Sequence, residues 1–200
     1  MDNSIIIDIS ARHIHLSTED KNRLFGEDYE LALRPGTEAM KQRPAVDKVE
    51  IAGPKGAFKA VTILCPLRKQ TQFELSATDC RTLGITAPIR MSGDIEGSAG
   101  VTVRGPKGEI VLEKGAIIAK RHAHVSAAWA EERGLTNGEA IMVEIESEER
   151  SLIFKDVIIR IEKDPNQEAK IHIDTDETNA AGLHGKTVGW YVGKSVPAAH

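Results

Sequence analysis

Arg121-His122-Ala123-His124-Val125-Ser126 nearly repeats Arg12-His13-Ile14-His15-Leu16-Ser17, and the two copies hold four of the chain's seven histidines. Histidines two apart on a strand point to one face, ~7 Å apart along it. That spacing suits two ligands on one metal, or one each on neighbouring metals, and imidazole fits zinc, copper, nickel or iron. One isolated pair could equally be strand-end histidines that only hydrogen-bond. The duplicated frame favours ligation.

Outward from these copies, a looser pattern runs through the chain. His15-Leu16-Ser17, Glu74-Leu75-Ser76, His124-Val125-Ser126 and His172-Ile173-Asp174 each join a metal-capable residue, an aliphatic and a helix-capping side chain. Gly26, Gly84, Gly134 and Gly182 follow as helix stops. Each unit therefore reads as a strand end, a capped short helix and a glycine. The same register places His13, Gln72, His122 and Lys170 two residues before the first members. The pooled inner set is His13, His15, Glu74, His122, His124 and His172, with Gln72 and Lys170 near. Six nitrogen and oxygen donors exceed one tetrahedral zinc, so two metals sharing them is the economical reading. Thiolate is missing from the set, which disfavours a structural zinc finger.

The rest of the chain predicts short strands and frequent turns. Ile5 to Ile9 is a β-branched strand delivering His13 and His15 past its end. Ser17-Thr18-Glu19-Asp20 caps a helix that Gly26 ends. Residues 34–48, with Pro35, Gly36 and Pro44, read as a loop long enough to be a lid or binding loop. Hairpins turn at Gly53-Pro54-Lys55-Gly56, at Gly105-Pro106-Lys107-Gly108 and at Ser147-Glu148-Glu149-Arg150. With helices of only a few turns, the expected class is mainly β, small β-barrels capped by short α-helices, in one large domain or two small ones.

Composition narrows the function. The 200 residues are 40% hydrophobic and 28% charged, enough for a buried core without staples. A net charge of -4 and 4% aromatics argue against a nucleic-acid binder. No stretch reads as a signal peptide or membrane span, so a cytoplasmic protein without membrane partners is expected. Cys65 and Cys80 read as reduced, buried thiols. No P-loop, dinucleotide fingerprint or G-x-S-x-G appears. Arg68, in Pro66-Leu67-Arg68-Lys69-Gln70-Thr71-Gln72, runs into Glu74 and could fork onto a phosphate or carboxylate beside a metal, with Lys69 adding a point charge. Ser92 to Gly100 is a small-residue loop, read as a plain turn although its amides could cradle an anion. Lys55 and Lys107 read as hairpin-tip solubility charges, His184 and His200 as bystanders, and Trp129, Trp190 and Tyr191 as packing.

Together these residues resemble the phosphate propanoyltransferases, a family of phosphotransacylases. The matching stretches are Ser10 to Ser17, Pro66 to Ser76, Ser92 to Gly100, Arg121 to Ser126 and His172 to Ala181, in family order over nearly the whole chain. The resemblance implies interleaved barrels, residues 1–11 with 120–190 forming one and 12–119 the other, a tail from 191 to 200, and a di-zinc site at their junction. It implies that His13, His15, Glu74, His122 and His124 are metal ligands and that Arg68 binds phosphate in the catalytic step. Ser10, His172 and Asn179 match positions near coenzyme A, whereas the repeat alone makes His172 a ligand. Leu33 to Ala39 departs from a longer family stretch, and Ala99 replaces a usual proline. The encapsulation helix typical of microcompartment members is not expected ahead of the first strand. A homodimer would be unsurprising.

The implied reaction interconverts a short-chain acyl-CoA (propanoyl-CoA or acetyl-CoA) plus phosphate with acyl phosphate plus CoA, by direct zinc-assisted transfer. Two alternatives share the residues: a di-metal hydrolase of a thioester or phosphate ester, and a non-enzymatic metal-dependent binding module.

Overall fold

The computed structural model describes residues 2–185 and 187–196, so His200 lies outside the described residues. In chain order, β1 (Ser4–Ser10) and β2 (His13–His15) precede helix α1 (Thr18–Phe25). A hairpin of β3 (Arg43–Ala52) and β4 (Ala57–Cys65) leads to β5 (Gln72–Glu74) and α2 (Ala77–Leu83). Next come β6 (Ile89–Arg90), β7 (Ala99–Arg104) and β8 (Glu109–Ala119). The last third holds β9 (His122–Ser126), α3 (Ala127–Glu131), β10 (Ala140–Ile145), β11 (Leu152–Glu162), β12 (Lys170–Asp174), α4 (Thr175–Ala180) and β13 (Thr187–Lys194).

The chain forms two compact units, one comprising residues up to Ser10 and from Lys120 on, the other Ala11–Ala119. In the first unit, strands β1-β12-β9-β11-β10-β13 close into a barrel. In the second, β5-β2-β4-β3-β7-β8 closes through a β5–β8 pairing, and β6 adds to β8. The class is mainly β, two barrels with short capping helices. Alternation builds each barrel: β10 buries Ile141, Val143 and Ile145, while β1 buries Ile5 and Ile7. Phe73, Ile14, Leu24, Ile51, Ile63 and Leu83 fill the second unit.

The barrels correspond strand for strand. In the second unit β2 runs parallel to β4 and antiparallel to β5, which runs parallel to β8. In the first, β9 runs parallel to β11 and antiparallel to β12, which runs parallel to β1. The chain exchanges strands between them: β1 closes the first barrel just before β2 enters the second, and β8 closes the second just before β9 enters the first.

Each of the four strands bearing His15, Glu74, His124 or His172 runs straight into a capped helix. Ser17, Ser76, Ser126 and Asp174 accept from the backbone N–H three residues on, at 2.9 to 3.2 Å. Gly26, Gly84, Gly134 and Gly182 follow with positive φ. The two Gly-Pro-Lys-Gly turns do more than carry surface charge. Lys55 N–H donates to Leu83 O at 3.0 Å and Lys107 N–H to Leu24 O at 2.9 Å, satisfying carbonyls at the ends of α2 and α1. A Cβ on Gly53 would lie 2.4 Å from Leu83 O, so that close approach requires glycine.

Three expectations need correction. Residues 43–48, read as part of a loop, belong to β3, because Arg43 and Pro44 pair with Cys65 and Leu64. Pro44 lacks only a donor; its carbonyl still accepts from Arg34 N–H at 2.9 Å. Residues 191–194, assigned to a tail, continue β13 and pair with β10. Trp190 does not pack inside: it lies 42% exposed on β13, whereas Tyr191 and Trp129 pack edge-on at 5.6 Å. Cys80 is buried as expected, whereas Cys65, expected to be buried as well, is only half-buried; neither is in a disulfide. No helix among the described residues is long and apolar enough to cross a membrane.

Candidate metal centres

The six pooled residues fall into two threes, one in each unit. In the second unit, antiparallel register sets His13 opposite Glu74 and His15 opposite Gln72. His13, His15 and Glu74 are all buried, and their donor atoms lie within 4.8 Å of one another, the one such group among the described residues. His13 Nε2 stands 3.5 Å from Glu74 Oε2, and His15 Nε2 stands 4.0 Å from Oε1. The His13 Nδ1 side meets Ala11 O at 2.9 Å, which orients the ring with Nε2 towards Glu74.

Hydrogen bonds divide the Glu74 carboxylate between two tasks. Oε1 accepts from Gln72 Nε2 at 2.6 Å and from Ser92 Oγ at 2.8 Å, while Oε2 faces His13. Burial pushes Glu74 up, but His13, the Ser92 hydroxyl, His15 and Arg68 together hold it below its usual value. Burial, helped by His13 and Arg68, pushes His15 down to about 3, so its ring is neutral. Both His15 ring nitrogens are buried and neither makes a well-formed hydrogen bond, the Leu64 backbone being the weakest influence on the ring. Leaving such groups unmatched is expensive, and a cation held by Nε2 would satisfy one. Two imidazoles and a carboxylate fit a divalent metal.

Arg68 adjoins this group. An isolated bridge to Ser17 and its N–H to Leu16 O, at 2.9 Å, place it half-buried beside the end of β2. Its NH1 donates to Ser92 Oγ at 3.0 Å. Ser92 thus accepts from Arg68 and donates to Glu74, while Gly93 N–H secures Gln72 Oε1 at 2.7 Å. The loop read as a plain turn is therefore part of the site. A small-residue loop carries no local signal for this, since the contact spans distant sequence.

In the first unit the register recurs, with His122 opposite His172 and His124 opposite Lys170. His122 and His124 meet edge to face with ring centroids 5.0 Å apart; His172 stacks on His122 at 5.2 Å and meets His124 edge-on at 5.2 Å. His122 Nδ1 faces Lys120 O at 2.9 Å, repeating the His13 arrangement. His124 Nδ1 hydrogen-bonds Glu162 Oε1, a partner the sequence pattern does not mark. Ser10 ends β1 opposite Asp174, and Asn179 is exposed on α4, where its carbonyl accepts from Arg150 NH1 at 3.3 Å.

The arginine heading each R-H-x-H copy has a shared duty too. Arg12 NH2 pairs with Asp79 Oδ1 at 2.6 Å and Arg121 Nε with Glu177 Oε1 at 2.9 Å, each acid being the third residue of a capped helix. Both guanidiniums also cover a phenyl ring, Phe58 at 4.2 Å and Phe154 at 5.1 Å. Each arginine thereby ties the start of one ligand strand to the helix after the strand bearing Glu74 or His172.

Two barrels of one strand plan each carry a histidine-rich cluster, and in one of them the cluster is coupled to an arginine through Ser92. A family model described as Phosphate propanoyltransferase matches residues 6–184. The phosphate propanoyltransferase of Thermotoga maritima is 48% identical over 90% of this chain and 85% of its own length. That of Shewanella putrefaciens is 47% identical over 91% and 85%, and that of Citrobacter rodentium 46% over 89% and 83%. The chain belongs to the phosphate propanoyltransferase family and is an acyltransferase.

Proposed function

We propose that the chain interconverts a short-chain acyl-CoA, propanoyl-CoA or acetyl-CoA, and inorganic phosphate with the acyl phosphate and coenzyme A. The observation that carries this reading is the Arg68–Ser92–Glu74 connection, which joins a phosphate-type cation to the His13–His15 cluster. Zinc is our assignment for the metal, two per chain: one on His13, His15 and Glu74, the other on His122, His124 and His172, all nitrogen and oxygen donors. We assign His172 to the metal because its ring stacks on His122, and leave Ser10 and Asn179 to coenzyme A.

Phosphate is already ionised at neutral pH, so its attack needs placement more than a strong base. Arg68 offers a forked pair of donors to two phosphate oxygens, and Ser92 holds that guanidinium in place. A phosphate oxygen then attacks the thioester carbonyl carbon and the C–S bond breaks. The electron pair leaves on sulfur, which takes the proton that phosphate gives up. Bound zinc would supply Lewis acidity for the carbonyl and a resting place for thiolate. Transfer is direct, since Cys65 and Cys80 stand outside both clusters and neither is needed as an acyl carrier.

The test is CoA release from propanoyl-CoA and acetyl-CoA with and without phosphate, alongside metal analysis. Phosphate-dependent release supports transfer; release indifferent to phosphate would replace this reading with hydrolysis. Arg68→Ala should keep its metal and lose turnover. The Cys65→Ala/Cys80→Ala double variant should keep both.

A further inference from the structure

The two clusters place their negative charge differently. In the second unit a carboxylate, Glu74, is itself one of the three converging groups. In the first unit the three corresponding residues are imidazoles in ring contact, and the carboxylate stands behind one of them, Glu162 Oε1 on His124 Nδ1. Register explains why the arrangement is not duplicated. His122 pairs with Ile158 and Glu162 lies four residues on; His13 pairs with Thr62, and four residues on from it is Pro66. Proline offers no carboxylate, so no acid stands behind His15 at that position.

We propose that Glu162 is a positioning residue for the His122–His124–His172 cluster. It accepts the Nδ1 proton of His124, fixes the ring as the tautomer that binds through Nε2, and supplies a negative charge that no imidazole ligand carries. The physical basis is general: a carboxylate behind a ligating imidazole raises its basicity and restricts its rotation, worth about 10–100-fold in metal affinity. Strand β11 carries Glu162 to this point by its parallel pairing with β9, where Glu162 stands opposite Ser126 and Arg160 opposite His124. The same pairing leaves His124 and Glu162 each about a quarter exposed, at 24% and 26%, dry enough for charge to matter.

This inference rests on reading the three histidines as a metal centre, and the experiment separates the two. Zinc is titrated against a competing chelator into metal-free wild type, Glu162→Gln and Glu162→Ala. Wild type should bind two zinc ions per chain. Glu162→Gln keeps an acceptor but loses the charge, so one site should weaken about 10-fold; Glu162→Ala loses both and should weaken it nearer 100-fold, with the other site unchanged. One zinc per wild-type chain overturns the metal reading of the first unit and this inference with it. Two zinc ions with equal affinities in all three proteins overturn only the role of Glu162. Should the variants misfold, ring-nitrogen NMR of the zinc-loaded wild type decides. His124 protonated on Nδ1 and bound through Nε2 is expected, and the opposite tautomer overturns the proposal.

Discussion

The two barrels share a strand plan yet differ in the chemistry they have placed on it. Both set a histidine opposite a third donor, His13 against Glu74 and His122 against His172. Both head the frame with an arginine that grips a helix-capping acid. The differences gather at the donors. The second unit has a buried carboxylate in direct line with its imidazoles and an arginine coupled to it through Ser92, whereas the first has imidazole alone at the front and Glu162 behind. A duplicated scaffold can thus keep its geometry while its electrostatics diverge. Within our proposal, a metal beside Glu74 is partly neutralised directly, and one on three imidazoles keeps more of its charge.

The largest effect should come from erasing that difference. Glu74→Gln keeps the shape and the acceptor but removes the charge in direct line. We expect that unit to lose its metal while the first unit retains its own, with kcat/KM falling roughly 1000-fold, several kcal/mol of charge stabilisation. Metal content per chain read beside turnover checks this; two metals retained with full activity would break the comparison. Next in size is Arg68→Ala, for which removal of one charge-stabilising donor predicts a loss of about 100–1000-fold in kcat/KM. Metal content should stay at the wild-type level. Arg68→Lys should recover only part of it, since a point charge does not fork onto two oxygens.

How much of this was readable beforehand follows the range of each contact. The R-H-x-H copies, their capped helices and the glycine stops are local, so spacing alone exposed them, and the barrels followed from short alternating strands. The grouping into threes was readable only in part. The repeat named all six donors, but which ones meet depends on β2 pairing with β5 and β9 with β12. Glu162 stayed hidden because it reaches His124 across 38 residues from a stretch with no pattern of its own, and the Ser92 loop, though singled out as an anion cradle and a family match, gave no local sign of its contact with Glu74 18 residues away. Residues 43–48 misled because Pro44 signals a break, although an outer strand position tolerates it.

Acidification should act on the metal-free units in opposite directions. Folded His15 refuses a proton until about pH 3, whereas the unfolded chain takes it near 6.5. The unfolded state therefore binds more protons across that window. The stability this group provides is complete above 6.5 and is lost as pH falls towards 3, by up to about 1.4 kcal/mol per pH unit. Glu74, also lowered, adds to the loss once the unfolded carboxyl begins to protonate near 4.5. In the first unit, burial raises Asp174 and Glu177. There the folded state takes up protons first, and acidification into the carboxylate range is stabilising. Hydrogen exchange, corrected for its intrinsic pH dependence, should show β2 and β5 loosening between pH 6 and 4 while β12 and α4 hold. Parallel loosening of both units would contradict the assignment.

The smallest expected difference lies in the two arginine ties. Arg12 is 41% exposed but its partner Asp79 only 5%, whereas Arg121 and Glu177 are 30% and 22% exposed. Removing one partner of a fully buried pair costs about 3–5 kcal/mol because a charge is left stranded. Solvent around Arg12 reduces that, and Ser76 N–H still donates to Asp79 Oδ2 at 3.3 Å. Arg12→Ala should therefore destabilise by about 1–2 kcal/mol, with loss of the guanidinium's cover over Phe58 included. Arg121→Ala strands a carboxylate that water reaches more readily, and should cost about 1 kcal/mol or less. In a chain of this size each kcal/mol lowers Tm by about 2–4 °C, so calorimetry of the two variants resolves the order. Equal shifts would mean that the ties act through ring contact and chain geometry, which the units share, and not through the burial of the acid, which they do not.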